Sequence, residues 1–333
     1  MTGELTVFQT YAEFLAAPDA AIKGKIVYVG HAMGRTQDGS SYGQFGRVRR
    51  EGPATAAKRG AATFLIRSIG TDDHRTPHTG VTSWPDGVTP IPAAALSNPD
   101  ADNLERIAST AKSAMRISLT LTPRFTGPQP SGNVIAELPG TDPKAGIVLV
   151  ACHLDSWDLG TGAFDDAAGC GIVTDAALAV GKKGKQRRTI RVLWAGSEEV
   201  GVFGGDAYFK AHKDEPHALA AESDFGADRI WQVNFRLPDG AATLRTRVSD
   251  ALAAQGIGTG RGLAGGGADV GQMVGARTPA IDLNQDGTRY FDLHHTANDT
   301  LDKIDPAQLN QNVAAWATFV YLAADSDWTF RAP

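Results

Sequence analysis

Cysteine is nearly absent, with only Cys152 and Cys170 in 333 residues. Two are too few for the disulfide framework of a small secreted domain, and their spacing matches no zinc knuckle. Both fall in apolar segments and read as buried thiols that leave the redox compartment undecided. Long apolar runs are missing too: none reaches the roughly 18 residues needed to cross a bilayer. The longest, Val313 to Ala324, follows Asp305-Pro306, an N-cap and a proline suited to the first helical position, and reads as a packed terminal helix. Basic charge is not in excess, with 32 Lys and Arg against 37 Asp and Glu, so nothing marks a nucleic-acid surface. The basic run Lys182 to Arg191 reads as a solvated connection between a helix and a strand. Gly3 to Tyr11 has neither the basic start nor the apolar core of a signal peptide, and no repeat of solenoid period occurs. What remains is an ordinary globular composition, 42% hydrophobic and 21% charged, long enough for one large or two smaller domains.

The composition changes along the chain. Residues 1 to 122 contain short strands at Lys25 to Gly30 and Thr63 to Ser68, a helical stretch at Gly52 to Gly60, and an apolar run at Ile91 to Ser97 leading into a helix. Met115 to Thr122 alternates polar and apolar residues, as a half-exposed strand does. His74 and His78 lie among Thr, Pro and Gly with no carboxylate at useful spacing, and read as surface or interdomain loop residues. Pro123 to Asn133, with three prolines and two glycines, is the linker. Beyond it, strands alternate with helices.

The stretch from Gly146 to Gly169 organises this second part. Ile147 to Cys152 is a continuous apolar run, the signature of a strand buried on both faces in a parallel sheet. Directly after it come His153, Asp155, Asp158, Asp165 and Asp166, and then an Ala/Gly-rich helix from Ala167 to Val180. Open α/β sheets place their ligand crevice at the carboxyl ends of strands, so this edge is a candidate metal site. A lone Asp at such a turn is more often only a cap; the case rests on recurrence. Thr189 to Ala195 is another buried strand and ends in Glu198-Glu199. Asp224 sits at the turn of Ala220 to Gly226, and His294-His295 precede the terminal helix. Imidazole and carboxylate donors suit zinc or a related first-row ion. Five such ligands suit two ions sharing one carboxylate. Adjacent Glu198 and Glu199 divide the labour, one binding metal while its neighbour faces the reacting water.

The segments HLDSWDLGTGAFDDAAG, WAGSEEVGVFGG, ESDFG and FDLHHTANDTLDKIDP together resemble the co-catalytic zinc aminopeptidase and glutamate carboxypeptidase family, most of all its plasma glutamate carboxypeptidase (carboxypeptidase Q) branch. The front half, GPATAAKRGAATFLIRSIGTDDHRTPHTG, resembles that branch's protease-associated domain. The resemblance implies an α/β fold: a mixed, largely parallel sheet flanked by helices, plus a smaller α+β protease-associated domain. The corresponding spans are 1–122, a linker at 123–132, and a peptidase domain at 133–333. It implies two zinc ions per chain, with His153 and Asp224 serving one, Glu199 and His295 the other, and Asp165 shared. Glu198 takes the general-base position, Asp155 orients His153, and the Asp165–Asp166 peptide bond is expected to be cis. His294 stands where the aminopeptidases carry an oxyanion-binding tyrosine, and its oxyanion role is a hypothesis.

The activity implied is zinc-dependent exopeptidase action on dipeptides or on the N-terminal residue of short peptides. A peptide substrate, a secreted or periplasmic location and a homodimer are the associated expectations, with no nucleic acid and no membrane span. A single-zinc aminoacyl cyclotransferase and an inactive receptor-like or truncated binding module are the alternatives; the complete ligand set argues against the cyclotransferase and the receptor-like module, while a truncated chain would be inactive even with its motifs intact. In the family a helical portion precedes the inserted protease-associated domain. This chain begins almost at the inserted domain, so that portion is expected to be missing. Trp157, Phe203, Tyr290 and Phe291 flank the motifs as pocket or core residues, and Asn298-Asp299-Thr300, although it matches a sequon, reads as turn and cap chemistry.

Overall fold

The computed structural model describes residues 1–328 and divides them into two compact units. The first comprises Met1–Gln129 together with Thr288–Asn298; the second comprises Pro130–Gly287 and the chain from Asp299 onward. The expected peptidase span 133–333 is thus interrupted, because Thr288–Asn298 groups with the first unit; its last five residues lie outside the described ones.

The first unit is built on five strands: β1 (Thr2–Phe8), β2 (Ile26–Val29), β3 (Thr63–Arg67), β4 (Ala93–Leu96) and β5 (Arg116–Ser118), in the order β4-β3-β2-β1-β5. All neighbours run parallel except β1 and β5. Strand alternation sends Val27, Val29, Phe64 and Ile66 into one core with Phe14 and Phe45. Ile26, Tyr28 and Leu65 go to the opposite face with Ala101. The sequence pattern does not reveal β1, and it starts the helix at Gly52, whereas the helix runs from Ser40 to Lys58 with Pro53 inside it. Its Gly52 is required by close packing, since a Cβ there would stand 2.6 Å from the Phe64 ring.

The second unit holds seven strands: β6 (Val134–Leu138), β7 (Ile147–His153), β8 (Thr189–Ala195), β9 (His217–Glu222), β10 (Ile230–Arg236), β11 (Gly258–Thr259) and β12 (Ala280–Gln285). Their order is β11-β10-β12-β9-β7-β8-β6. The three central strands β9, β7 and β8 are mutually parallel, while β6 and β10 run antiparallel to their partners β8 and β12. The expected α/β class with a mixed sheet flanked by helices is what forms. Every residue of β7 is buried, because helices cover both faces. Val148, Val150 and Cys152 pack against helices Ala168–Gly181 and Pro306–Asp325, and Leu149 and Ala151 pack with Tyr208, Val270 and Met273 on the other side.

Two expectations fail in this unit. Cys152 and Cys170 are not thiols: they form a disulfide that joins the end of β7 to the following helix, with Cα atoms 5.1 Å apart. The helix brings Cys170 back over the strand it follows, a proximity that residue counting alone does not show. The basic run is not uniformly solvated either. Arg188 is buried and donates to the carbonyls of Ala145, Ala323, Ser326 and Trp328, tying β8 to the end of the terminal helix. Arg191, also buried, pairs with Glu137 and Glu215 and reaches the Tyr208 hydroxyl.

Candidate metal centre

Three adjacent parallel strands end at the same edge, and each delivers acidic or imidazole groups there. His153 closes β7, opposite Ala195 of β8, and Glu198-Glu199 follow two residues beyond that strand's end. Ala151 of β7 pairs with Glu222 of β9, so Asp224 emerges from the next turn beside them. Asp165 comes from the irregular turn Ala163–Ala167 that leads into the helix after β7, and its bond to Asp166 is cis. Ligand atoms of His153, Asp165 and Glu199 lie within 4.8 Å of one another, as do those of His153, Asp166 and Asp224. His153 Nε2 is 3.3 Å from Asp165 Oδ1 and 3.4 Å from Asp224 Oδ1.

The surroundings hold these groups in place. His153 Nδ1 donates to the backbone carbonyl of Asp155 at 2.9 Å. A carbonyl can only accept, so Nδ1 carries hydrogen and Nε2 is the nitrogen offered to a metal. Asp155 thus meets His153 mainly through its main chain, with its Oδ1 3.8 Å from the same Nδ1. Its carboxylate instead accepts from the backbone N–H groups of Glu198 (2.9 Å) and Glu199 (3.2 Å), fixing the turn on which both glutamates stand. Trp157 Nε1 donates to Glu199 Oε2 at 2.7 Å. Asp299 accepts from the N–H groups of Phe164 (2.5 Å) and Asp165 (3.1 Å), anchoring the turn that presents Asp165. Asp166 Oδ2 accepts from His153 N–H at 3.1 Å. Gly169 is obligatory here, since a Cβ would lie 2.0 Å from the Ser223 carbonyl oxygen and 2.2 Å from Asp166 Oδ1.

Electrostatically the cluster is short of positive charge. Burial, then the Asp224 charge, pushes Glu198 up to about 8; burial, then the Asp165 charge, does the same to Glu199. Burial opposes charge on His153, but hydrogen bonds to Asp165 and Asp224 outweigh it and hold the imidazole well above its ordinary value. Carboxylates of Glu198, Glu199, Asp166 and Asp224 driven toward their neutral forms, and an imidazole drawn toward its cationic one, describe a site that a divalent ion would satisfy. The donor set of one oriented imidazole and several carboxylates fits zinc.

The remaining sequence candidates are carried by other elements. His294 and His295 lie on Thr288–Asn298 and belong to the first unit, where their rings stack at 3.6 Å. Tyr290 and Phe291 are buried core residues of that unit, whereas Phe203 is 60% exposed. Sequence reasoning gives Asp166 no part in metal binding and assigns Asp299 to turn chemistry alone. The one available signal for Asp299 is its place four residues after His295, inside a motif that already carries metal chemistry. Glu222 also escapes the sequence pattern; it is buried and accepts from Asp269 N–H at 2.8 Å. His78, read as a surface or interdomain loop residue with no partner carboxylate, is buried against Asp72. The expectation fails because the required carboxylate lies six residues upstream across a loop, at no regular spacing.

Residues 133–320 match the sequence model of peptidase family M28. Over 331 residues the chain is 34% identical to Carboxypeptidase Q of Bos taurus, a match covering 98% of this chain and 68% of that protein. This chain belongs to peptidase family M28. It is accordingly a peptidase, and the M28 match spans every strand of the second unit. Identity to the human Carboxypeptidase Q is 33% over 332 residues, with the same coverage of 98% and 68%. Among solved structures, a peptidase M28 precursor from Shewanella amazonensis superposes with a TM-score of 0.90 at 40% identity, covering all of this chain and 76% of that one. A zinc aminopeptidase from Bacillus subtilis shares the fold, with a TM-score of 0.65 at 17% identity, over 99% of this chain and 79% of its own.

Proposed function

We propose that the protein is a dinuclear zinc exopeptidase that hydrolyses dipeptides or removes the N-terminal residue of short peptides. The observation that carries this reading is the convergence of His153, Asp165, Asp224 and Glu199 at the ends of three parallel strands, with Glu198 beside them. His153 and Asp224 are assigned to one ion, Glu199 to the other and Asp165 to both; His295 is assigned as the fifth ligand on the family resemblance. When bound, zinc supplies Lewis-acid polarisation of the scissile carbonyl. Glu198 is the general base, taking the proton of the attacking water and passing it to the leaving amine. Asp155 serves this step by holding the Glu198 and Glu199 backbones. His294 is assigned to the developing oxyanion.

The relatives' names point to opposite ends of a peptide, one a carboxypeptidase and the other an aminopeptidase. A dipeptide satisfies both, so dipeptides are the first substrates to try. Residues 1–122 are assigned as a protease-associated domain, followed by a linker at 123–132. A secreted or periplasmic location agrees with the Cys152–Cys170 disulfide, since such bonds persist in oxidising compartments. Among the described residues no helix is long and apolar enough to cross a membrane.

The test combines elemental analysis with a substrate panel. Two zinc ions per chain are expected, with rapid hydrolysis of free dipeptides and slow hydrolysis of N-acetylated ones. A preparation that holds one ion at saturating zinc, or that cuts a long peptide blocked at both ends, overturns the reading.

A further inference from the structure

The first unit contains an arrangement that the proposed chemistry does not use. The segment Thr288–Asn298 is stitched to the loop after β3 along its whole length. Thr71 N–H donates to the Phe291 carbonyl at 2.9 Å, and Thr79 N–H donates to the His295 carbonyl at 3.0 Å. The Thr79 hydroxyl donates to that same carbonyl at 3.1 Å. His78 Nδ1 donates to the His294 carbonyl at 2.7 Å, while its Nε2 faces Asp72 Oδ1. Asp72 is itself held by the His74 N–H (3.0 Å) and lies against the Asn98 amide. His78 and Asp72 are both buried.

Two details give these contacts a direction. His295 has φ of +61°, a left-handed backbone that a β-substituted residue adopts only when its surroundings impose it. Its carbonyl, gripped twice by Thr79, is part of what imposes it. His295 Nδ1 also lies 3.1 Å from the Thr79 carbonyl oxygen. That oxygen can only accept, so Nδ1 carries a hydrogen, and of the two ring nitrogens Nε2 is the one able to act as a metal ligand. This is the arrangement His153 has with Asp155, built in a different unit from different elements.

We infer that Thr79 and the Asp72–His78 pair are positioning residues that set the backbone, ring orientation and tautomer of His295 for metal binding. The inference rests on the assignment of His295 as a zinc ligand. Outer partners of metal-binding histidines typically contribute about 10- to 100-fold in affinity.

The experiment titrates the metal-free full-length protein with zinc against a chromophoric chelator and resolves two affinities. His295→Ala tests the underlying assignment and is expected to abolish one of them. His78→Leu, which removes the donor to the His294 carbonyl, and Thr79→Val, which removes the hydroxyl, are expected to weaken that same affinity by about 10- to 100-fold and leave the other unchanged. His78→Asn places an amide donor near the Nδ1 position and is expected to recover most of the loss, as is Thr79→Ser. If His78→Leu does not fold, the Thr79 pair gives the answer alone. Wild-type affinities in His78→Leu and Thr79→Val, with one affinity lost in His295→Ala, overturn the inference and leave the proposed function standing. Equal weakening of both affinities also overturns it, because general loosening is then the cause. Two intact affinities in His295→Ala remove the ligand assignment and the inference with it.

Discussion

At the scale of the residue, the decisive contrast lies between two neighbouring glutamates. Glu198 and Glu199 share a turn fixed by one carboxylate, Asp155, yet Glu199 is engaged by Trp157 and falls within the donor cluster of His153 and Asp165. Their chemical roles should separate under the same substitution. Glu198→Gln keeps shape and volume but cannot take a proton, and general-base catalysis is worth about 10²- to 10⁴-fold. Turnover is expected to fall by at least the lower figure, with zinc content and KM near wild type. Glu199→Gln is expected to lower zinc content directly. A Glu198→Gln enzyme that keeps most of its turnover, or that loses zinc like Glu199→Gln, reverses the assignment. The two residues are legible in the sequence itself. The hydrogen bonds that fix their turn are not, because Asp155 reaches across 43 positions to the Glu198 backbone.

Among the elements, β7 and the helix that follows it form a single clamp. His153 ends the strand, Asp165 sits in the turn, and the disulfide closes the loop from Cys152 to Cys170 over a separation of 18 residues. Closing a loop of that length restricts the unfolded chain by about 3 kcal/mol. Reductant is therefore expected to lower the denaturant midpoint of the wild type, and the Cys152→Ala, Cys170→Ala double variant should start from that lower value and not respond. A wild-type midpoint indifferent to reductant shows that the pair does not stabilise the fold in solution. Apolar patterning is enough to place both the strand and the helix. Their covalent link is beyond it, because the chain reverses at the Asp165–Asp166 turn and only that reversal brings the sulfurs together.

Over the whole molecule, buried titratable groups make stability depend on pH in ways the net charge of −5 does not show. His217 is buried beneath the Tyr208 hydroxyl, 2.7 Å from its Nε2, and burial, then the nearby Arg191 charge, lowers it to about 4. The unfolded chain takes up that proton near about 6.5 and the folded chain only near 4. Stability is thus fully present above about 6.5 and lost as pH falls toward about 4, by up to about 3 kcal/mol. His217→Gln should flatten that part of the profile. Without metal, Glu198 and Glu199 act in the opposite sense: their raised values make the fold less stable as pH climbs from about 4.5 toward 8. The comparison is therefore made at equal zinc, by chemical denaturation at about pH 7.5 and about pH 5, on either side of the unfolded histidine's titration. Parallel profiles for wild type and His217→Gln would show that this histidine does not carry the effect.

What the sequence determined by itself is the chemistry that is local in the chain. A buried strand followed at once by polar residues is a short-range pattern, and it marks His153, Glu198-Glu199 and Asp224 because each stands close to its strand's end. The same recurrence of donors brought in Asp165 and His294-His295, and the family resemblance gave each residue its proposed role. Tertiary structure alone decided what depends on distant partners. It buried Arg188 under the terminal helix and placed Asp299 on the N–H groups of Phe164 and Asp165. It paired His78 with Asp72, and it set a carbonyl of Thr79 against a histidine 216 positions away. No periodicity encodes such contacts, because they form only where packing has already fixed both backbones and each buried polar atom must find a partner.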